Sequence, residues 1–254
     1  MNSKDFQIGL KLWSTNTSKI SDAIKLYKSG FYQYIELYSV PNSYISTISK
    51  WINCKVPFVI HAPHFMSGMD LSNSSMMLSN QILINEAISF ANALSATYII
   101  FHPGVKGSLK ETAHQLSNIH DDRIVIENVP SIGVDENLHL LGSKPDEIEF
   151  LLTSVDKLRF CLDIVHAVCA ANTARADYMA YIRKFIELDP QIIHLADNSI
   201  NNETDKHLPL GEGSIPVKNI LYILPPKLKV TLESNINTSD FYNKAYQEAK
   251  IFYE

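Results

Sequence analysis

Residues 96–103 read ATYIIFHP, in which Ile99, Ile100 and Phe101 run straight into His102 and Pro103. A short, uniformly apolar run of this kind suits a parallel strand buried on both faces, and the HPG of His102–Gly104 marks a sharp turn at its end. Seven further stretches have the same character: FQIGLKLW (6–13), YQYIELY (32–38), VPFVIHA (56–62), RIVIENV (123–129), LRFCLDI (158–164), QIIHLAD (191–197) and KVTLES (229–234). Between them lie segments of helical periodicity, among them SKISDAIKLYKSG (18–30), NQILINEAISFANALS (80–95), KPDEIEFLLTSV (144–155) and DYMAYIRKFIEL (177–188), the first closing on a glycine placed like a helix C-cap. TSDFYNKAYQEAKIFYE (238–254) reads as a closing helix. Eight strand–helix units in about 250 residues predict a single α/β domain over 1–254, a (β/α)8 barrel with its site at the C-terminal ends of the strands. A doubly wound open sheet often carries a glycine-rich phosphate loop after its first strand, and here that strand runs into WSTNTSK (13–19) with no such pattern.

The 254 residues carry 22 Lys and Arg against 27 Asp and Glu, a formal charge of −5. That balance excludes a broad basic surface coating nucleic acid, because such binding rests on neutralised phosphates, but it leaves room for a local positive site. A hydrophobic share of 46% excludes a disordered chain. Three cysteines, Cys54, Cys161 and Cys169, show no CxxC spacing and predict no disulfide framework, which suits a reducing cytoplasm. No apolar run resembles a secretory leader at MNSKDFQIGL, and none approaches the roughly 20 residues of a membrane span, so no membrane partner is expected.

Reading the strand ends in order gives Glu36, His61, His102, Glu127, Asp163, His194 and Glu233, with only the first strand, ending near Trp13, contributing no ionisable group. Groups of this kind are costly to bury unless paired or bound to a metal. In LDIVHA, Asp163 and His166 stand three apart where a helical turn would aim both inward, and in SINNETDKHLPLGEG (199–213) Asp205 and His207 stand two apart in a loop over the barrel mouth. The candidate ligands are therefore His61, His102, Glu127, Asp163, His166, His194, Asp205, His207 and Glu233. They exceed the needs of one ion, since zinc takes about four, and with no Cys among them the set suits Zn2+ while admitting Mn, Fe or Co.

The chain resembles the endonuclease IV family, metal-dependent apurinic/apyrimidinic endonucleases of the xylose-isomerase-like barrels. The likeness runs from IGLKLWS to LESN and rests on FHPG, the IEN of VIENVP, the DxxHA of LDIVHAVCAA, HLAD, DKHLPLGEGSI and LES, in the family's order. The resemblance implies a trinuclear site: His61 and His102 on one zinc, Asp163, His194 and Glu233 on a second, and His166, Asp205 and His207 on the third. Glu127, shared by the first two, is the implied catalytic carboxylate. Three Zn2+ per chain are implied, with Mn2+ admissible at one or more positions, and they would more than offset the formal −5. The implied reaction is phosphodiester hydrolysis 5′ to an abasic site in double-stranded DNA by a monomer acting in base-excision repair. Bound zinc lowers the pKa of water to about 7 and neutralises phosphate charge, and the damaged nucleotide leaves the stack where pairing is already lost.

The likeness weakens at the DNA-handling loops. The family carries a polar, aromatic loop after the second strand, where this chain has only YSVPNSYIS (38–46). After the third strand HAPHFMSGMDLS (61–72) offers His64, Phe65 and Met66 as a wedge, and Lys106, Lys144, Arg175 and Lys206 are candidate phosphate contacts. Glu36 reads either as a residue orienting a ligand His or as a substrate contact in an isomerase-like site. The alternative is a single-metal sugar-phosphate isomerase or epimerase of the same superfamily, which keeps only the subset Glu127, Asp163, His194 and Glu233. A non-catalytic lesion binder would tolerate loss of the ligands, and all are retained.

Overall fold

The computed structural model describes residues 6–133, 138–236 and 240–253. The opening MNSKD and the flanks of the expected closing helix at 238, 239 and 254 lie outside the described residues. Eight parallel strands close into a barrel in chain order: β1 Gln7–Trp13, β2 Tyr34–Tyr38, β3 Phe58–His61, β4 Ile99–Phe101, β5 Ile124–Glu127, β6 Arg159–Asp163, β7 Ile192–Leu195 and β8 Lys229–Leu232. Helices connect them on the outside: α1 Ile20–Lys28, α2 Tyr44–Ile52, α3 Met77–Ala93, α4 Leu109–Ser117, α5 Pro145–Ser154, α6 Ile164–Thr173, α7 Tyr178–Ile186 and α8 Val217–Ile223, with α9 Phe241–Lys250 after the last strand. The expected (β/α)8 barrel is thus the fold. No helix among the described residues is long and apolar enough to cross a membrane.

The helix ends follow the local sequence. Gly30 takes φ +82° just past α1, where a residue with a Cβ would be strained. Ser108 caps α4 by accepting the Glu111 N–H at 3.2 Å, and Pro145 opens α5, where its missing N–H costs nothing.

Strand periodicity divides the core in two. Ile8, Leu10, Leu12, Ile35 and Leu37 point outward into the main apolar layer under the helices. Tyr34, Val59, Ile100, Val125, Cys161 and Ile192 form a separate cluster plugging the barrel interior. Each of these six stands two residues before Glu36, His61, His102, Glu127, Asp163 or His194 in the chain. Since side chains alternate with a period of two, the polar site is the next inward layer above an apolar floor.

The same alternation corrects one expectation. β1 does contribute an ionisable group: Lys11, in register with Glu36, points into the barrel two residues after Gly9. Reading only the last residue of each strand passed over it. Gly9 is required below, because a Cβ there would lie 2.2 Å from the Tyr34 ring, which fills the floor at that point.

Candidate metal centre

β3, β5 and β6 end on His61, Glu127 and Asp163 themselves, while His102 and Glu233 follow β4 and β8 by one residue. His194 lies within β7. Asp163 also caps α6, accepting the His166 N–H at 2.6 Å, so a single turn delivers both side chains to the site. The loop after β7 brings Asp205 and His207 over the mouth, as the sequence implied. Asp197 holds that loop, accepting N–H groups from Gly211 at 2.9 Å and Ile215 at 3.1 Å.

Glu127 is the hub. Its Oε2 lies 3.1 Å from His61 Nε2, 3.3 Å from His102 Nε2 and 3.2 Å from His194 Nδ1, and its Oε1 lies 3.2 Å from His166 Nδ1. Asp205 Oδ2 stands 2.9 Å from His207 Nδ1 and 3.4 Å from His166 Nε2. Five overlapping groups have ligand atoms within 4.8 Å of one another among the described residues, and three consist of candidate ligands alone: His61, His102 and Glu127; Glu127, Asp163, His194 and Glu233; and His166, Asp205 and His207. The other two add Glu36 to His61, His194 and Glu233, and Cys161 to Glu127 and His194. All nine residues singled out from the sequence are therefore brought together.

The donor set fits divalent cations. His61 Nδ1 lies 2.7 Å from the Ala62 carbonyl and His166 Nδ1 2.9 Å from that of Asn128, so each ring donates there and leaves Nε2 with a lone pair. His194 Nε2 donates to Glu36 Oε2 at 3.0 Å and leaves Nδ1 free. Buried His194 Nδ1 and Asp205 Oδ2 stand close to charged neighbours but make no hydrogen bond among the described residues. Buried polar atoms without partners are rare, and a cation would satisfy both.

Without a cation the cluster holds protons instead. Burial disfavours the imidazolium of His166 and of His194, but the surrounding carboxylates outweigh it and raise both well above the usual range. His207, with burial opposing and Asp205 and Glu233 favouring its charge, is pushed up to about 10. Burial lifts Asp163 to about 7, aided by the charges of Glu127, Asp205 and Glu233 and only partly opposed by His166. His64 goes the other way, down to about 2, through burial and the neighbouring His102 and His61.

Three contributors were missed by the sequence reading. Lys11 Nζ sits 2.5 Å from Glu36 Oε1 and in direct contact with Glu233 Oε1. Asn128, the N of IEN, clamps the backbone of Asp163. Cys161, which the reading of strand ends did not include, brings a thiol near Glu127 and His194 from the floor. Burial pushes that thiol up, so it stays protonated and a poor ligand.

The centre opens into a cavity of about 670 Å3. His64, Phe65 and Lys206 line it with Trp13, Met66 and Tyr38, and the His64 ring stacks on His102 with centroids 5.2 Å apart. Lys106 is exposed on the loop after β4 and does not line the cavity, nor do Lys144 and Arg175. Glu36 is fully buried, accepts from His194 Nε2 and does not line the cavity.

Known proteins resemble both the nuclease and the isomerase sides of this fold. An uncharacterized protein of Methanocaldococcus jannaschii is 23% identical over 230 residues, 84% of either chain. A "Probable endonuclease 4" of Latilactobacillus sakei is 27% identical over 179 residues, 63% of this chain and 58% of that one. This chain thus aligns with little more than half the length of that relative. Among solved structures, a D-tagatose 3-epimerase-like protein superposes with a TM-score of 0.73 at 19% identity, covering 98% of this chain and 97% of that one. Endonuclease IV from Thermus thermophilus does so with a TM-score of 0.72 at 16% identity, covering 97% of each. The xylose isomerase-like TIM barrel family matches residues 52–233, which is more than half of the chain and spans β3 to the first residue past β8. By that match and by its closed eight-stranded barrel, the chain belongs to the xylose isomerase-like TIM barrel family.

Proposed function

We propose that the chain is a metal-dependent apurinic/apyrimidinic endonuclease that hydrolyses the phosphodiester 5′ to an abasic site in double-stranded DNA. The observation that carries this reading is the division of nine ligands into three adjoining groups, with Glu127 common to two. A one-metal isomerase has use for Glu127, Asp163, His194 and Glu233 alone, and retention of His61, His102, His166, Asp205 and His207 in ligating geometry supports a three-ion site. His61 and His102 would hold one ion, Asp163, His194 and Glu233 a second with Glu127 between these two, and His166, Asp205 and His207 a third. Zinc bound there supplies Lewis acidity and water of near-neutral pKa, about 7.

The protein's own groups do the rest. Glu127 presents Oε2 to His61, His102 and His194 together and Oε1 to His166, and so ties the three groups to one carboxylate. Lys206 adds positive charge at the mouth, where it attracts a phosphate. Phe65, Met66 and Trp13 offer apolar faces to the sugar and bases flanking the lesion, while Val129, Ile132 and Leu140 line the far wall and limit water.

The epimerase reading draws on one specific observation, the short segment from Ser39 to Ser43 between β2 and α2, which offers little to enter a DNA groove. A duplex bearing a tetrahydrofuran abasic analogue separates the two. Protein loaded with close to three metals per chain is expected to nick it on the 5′ side. An intact duplex, with turnover of a ketose or its epimer by the same preparation, would make the epimerase the correct assignment.

A further inference from the structure

Lys11, partly buried on the cavity wall, and the buried Glu36, Thr231 and Tyr34 form a polar chain running from the ligand layer to the floor, and none belongs to the nine proposed ligands. The Thr231 hydroxyl donates to Glu36 Oε2 at 2.6 Å, so its lone pair accepts from the Tyr34 hydroxyl 2.8 Å away. Glu36 Oε2 also accepts from His194 Nε2, and Glu36 Oε1 accepts from Lys11. Three donors therefore converge on one carboxylate of 0% exposure. An ionised group so deeply buried needs a cation and a full set of hydrogen bonds, and this one has both. Lys11 contacts the second carboxylate, Glu233, through Oε1, while Glu233 Oε2 faces His207 at 3.7 Å.

We propose that Lys11 and Glu36 act as one positioning unit for the Asp163, His194 and Glu233 cation: Glu36 fixes the tautomer of His194 that frees Nδ1, and Lys11 braces both Glu36 and one oxygen of Glu233. Glu36 does not line the cavity and Lys11 does, so the role assigned to both is positioning, through their contacts with His194 and Glu233. The inference rests on the metal-centre reading above but not on the nature of the substrate.

An amide in place of Glu36 has one oxygen and one NH2, so it cannot accept on both sides, and Glu36→Gln must set a donor against either Lys11 or His194 and Thr231. Lys11→Met removes the ammonium shared by the Glu36 and Glu233 carboxylates. The experiment is zinc titration of the full chain by competition with a chelating dye, for wild type, Glu36→Gln, Lys11→Met, the double variant and Lys11→Arg. Cobalt absorption spectra report the ligand field, and metal-free melting curves report the fold. Each single variant is expected to bind one of its ions about 10- to 100-fold more weakly, with the others unchanged. The double variant should lose no more than the worse single one, because the two residues act together. Lys11→Arg, which keeps the charge, should recover part of the loss.

Unchanged affinities, additive losses, equal weakening of every ion or tighter binding by Lys11→Met would each overturn the proposal. If Lys11→Met does not fold, the near-isosteric Glu36→Gln decides it alone. Wild type that takes up no zinc would instead overturn the metal-centre reading, so the two failures are distinguishable.

Discussion

Asn128 grips Asp163 at both ends of its backbone: Nδ2 donates to the Asp163 carbonyl at 3.0 Å and Oδ1 accepts its N–H at 2.8 Å. The Asn128 carbonyl meanwhile takes the His166 Nδ1 proton at 2.9 Å. One fully buried residue thus ties the end of β5 to the start of α6 and sets two ligands at once. Asn128→Ala is expected to remove both side-chain bonds and leave the Asp163 amide unpaired, at a cost of about 1–3 kcal/mol. Chemical denaturation of the metal-free protein measures this. A variant as stable as wild type would mean that the clamp is dispensable.

Gly104 admits no side chain. Its φ is +129°, and a Cβ would stand 2.4 Å from Asp70 Oδ1, which already accepts from the N–H groups of Ser72 and Val105 at 3.1 Å each. Gly104→Ala combines backbone strain of about 1–3 kcal/mol with displacement of the turn that carries His102. Lowered stability together with weakened binding of one zinc is the expected result, and loss of stability with full zinc affinity would show that His102 does not depend on the turn.

The pH dependence of the metal-free protein should run opposite to that of the loaded protein. His207 is raised from 6.5 to about 10, so its contribution is complete below about pH 6.5 and disappears as pH rises through about 10. Asp163 is raised from 3.8 to about 7, which favours the folded state below about pH 3.8 and loses that advantage as pH rises through about 7. Glu127 and Glu233 oppose this at the acid end: burial works against their ionisation, but His194 and other cations hold both well below 4.5, so their contribution is lost as pH falls. Stability without metal should therefore peak in mild acid and decline above it. Zinc displaces these protons, so the gain in Tm on loading should grow between about pH 5 and about pH 9. Melting curves with chelator and with zinc check this, and a constant difference across that range would contradict it.

How much of this was legible beforehand follows from the chemistry. Ligands announce themselves because His or Glu closing an apolar strand is anomalous, and the three-residue spacing of Asp163 and His166 marks a helical turn, though not the full length of α6. The supports are quieter. Asn128 and Asp197 stand within the IEN and HLAD motifs, but an Asn or Asp at the end of a strand carries no sign of which backbone groups it will hold. Lys11 alternates with leucines on both sides, and its inward direction needed the register with Glu36. The two-residue step from floor to site, visible in six strands, would have pointed to it from Gly9. Lys106, a candidate phosphate contact, stands exposed outside the cavity lining, since a loop's position in the chain does not determine the reach of its side chain.

Trp13 ends β1 at the mouth, 55% exposed, with its ring 5.5 Å from that of Tyr38. So large an exposed aromatic on a cavity wall suits stacking against a base or the apolar face of a sugar. Trp13→Ala is expected to weaken substrate binding by about 1–3 kcal/mol, on the order of 5- to 150-fold in KM, with kcat nearly unchanged. Steady-state kinetics on the abasic duplex separates the two constants, and a fall in kcat at constant KM would remove Trp13 from the binding surface.

Glu127→Gln tests the hub itself. The change keeps volume and shape but removes the charge that faces His61, His102, His166 and His194. It also replaces one of two acceptor oxygens with an NH2, which sets a donor against either His166 or the trio His61, His102 and His194. Activity should fall on the order of 100-fold or more, and zinc content should drop below that of wild type, because two groups lose a shared ligand. The barrel should survive, since its floor and the layer under the helices do not involve Glu127. Circular dichroism beside metal analysis reads both outcomes: an unfolded variant would make Glu127 chiefly a structural counter-charge to the histidines, and full zinc with full activity would remove it from the centre.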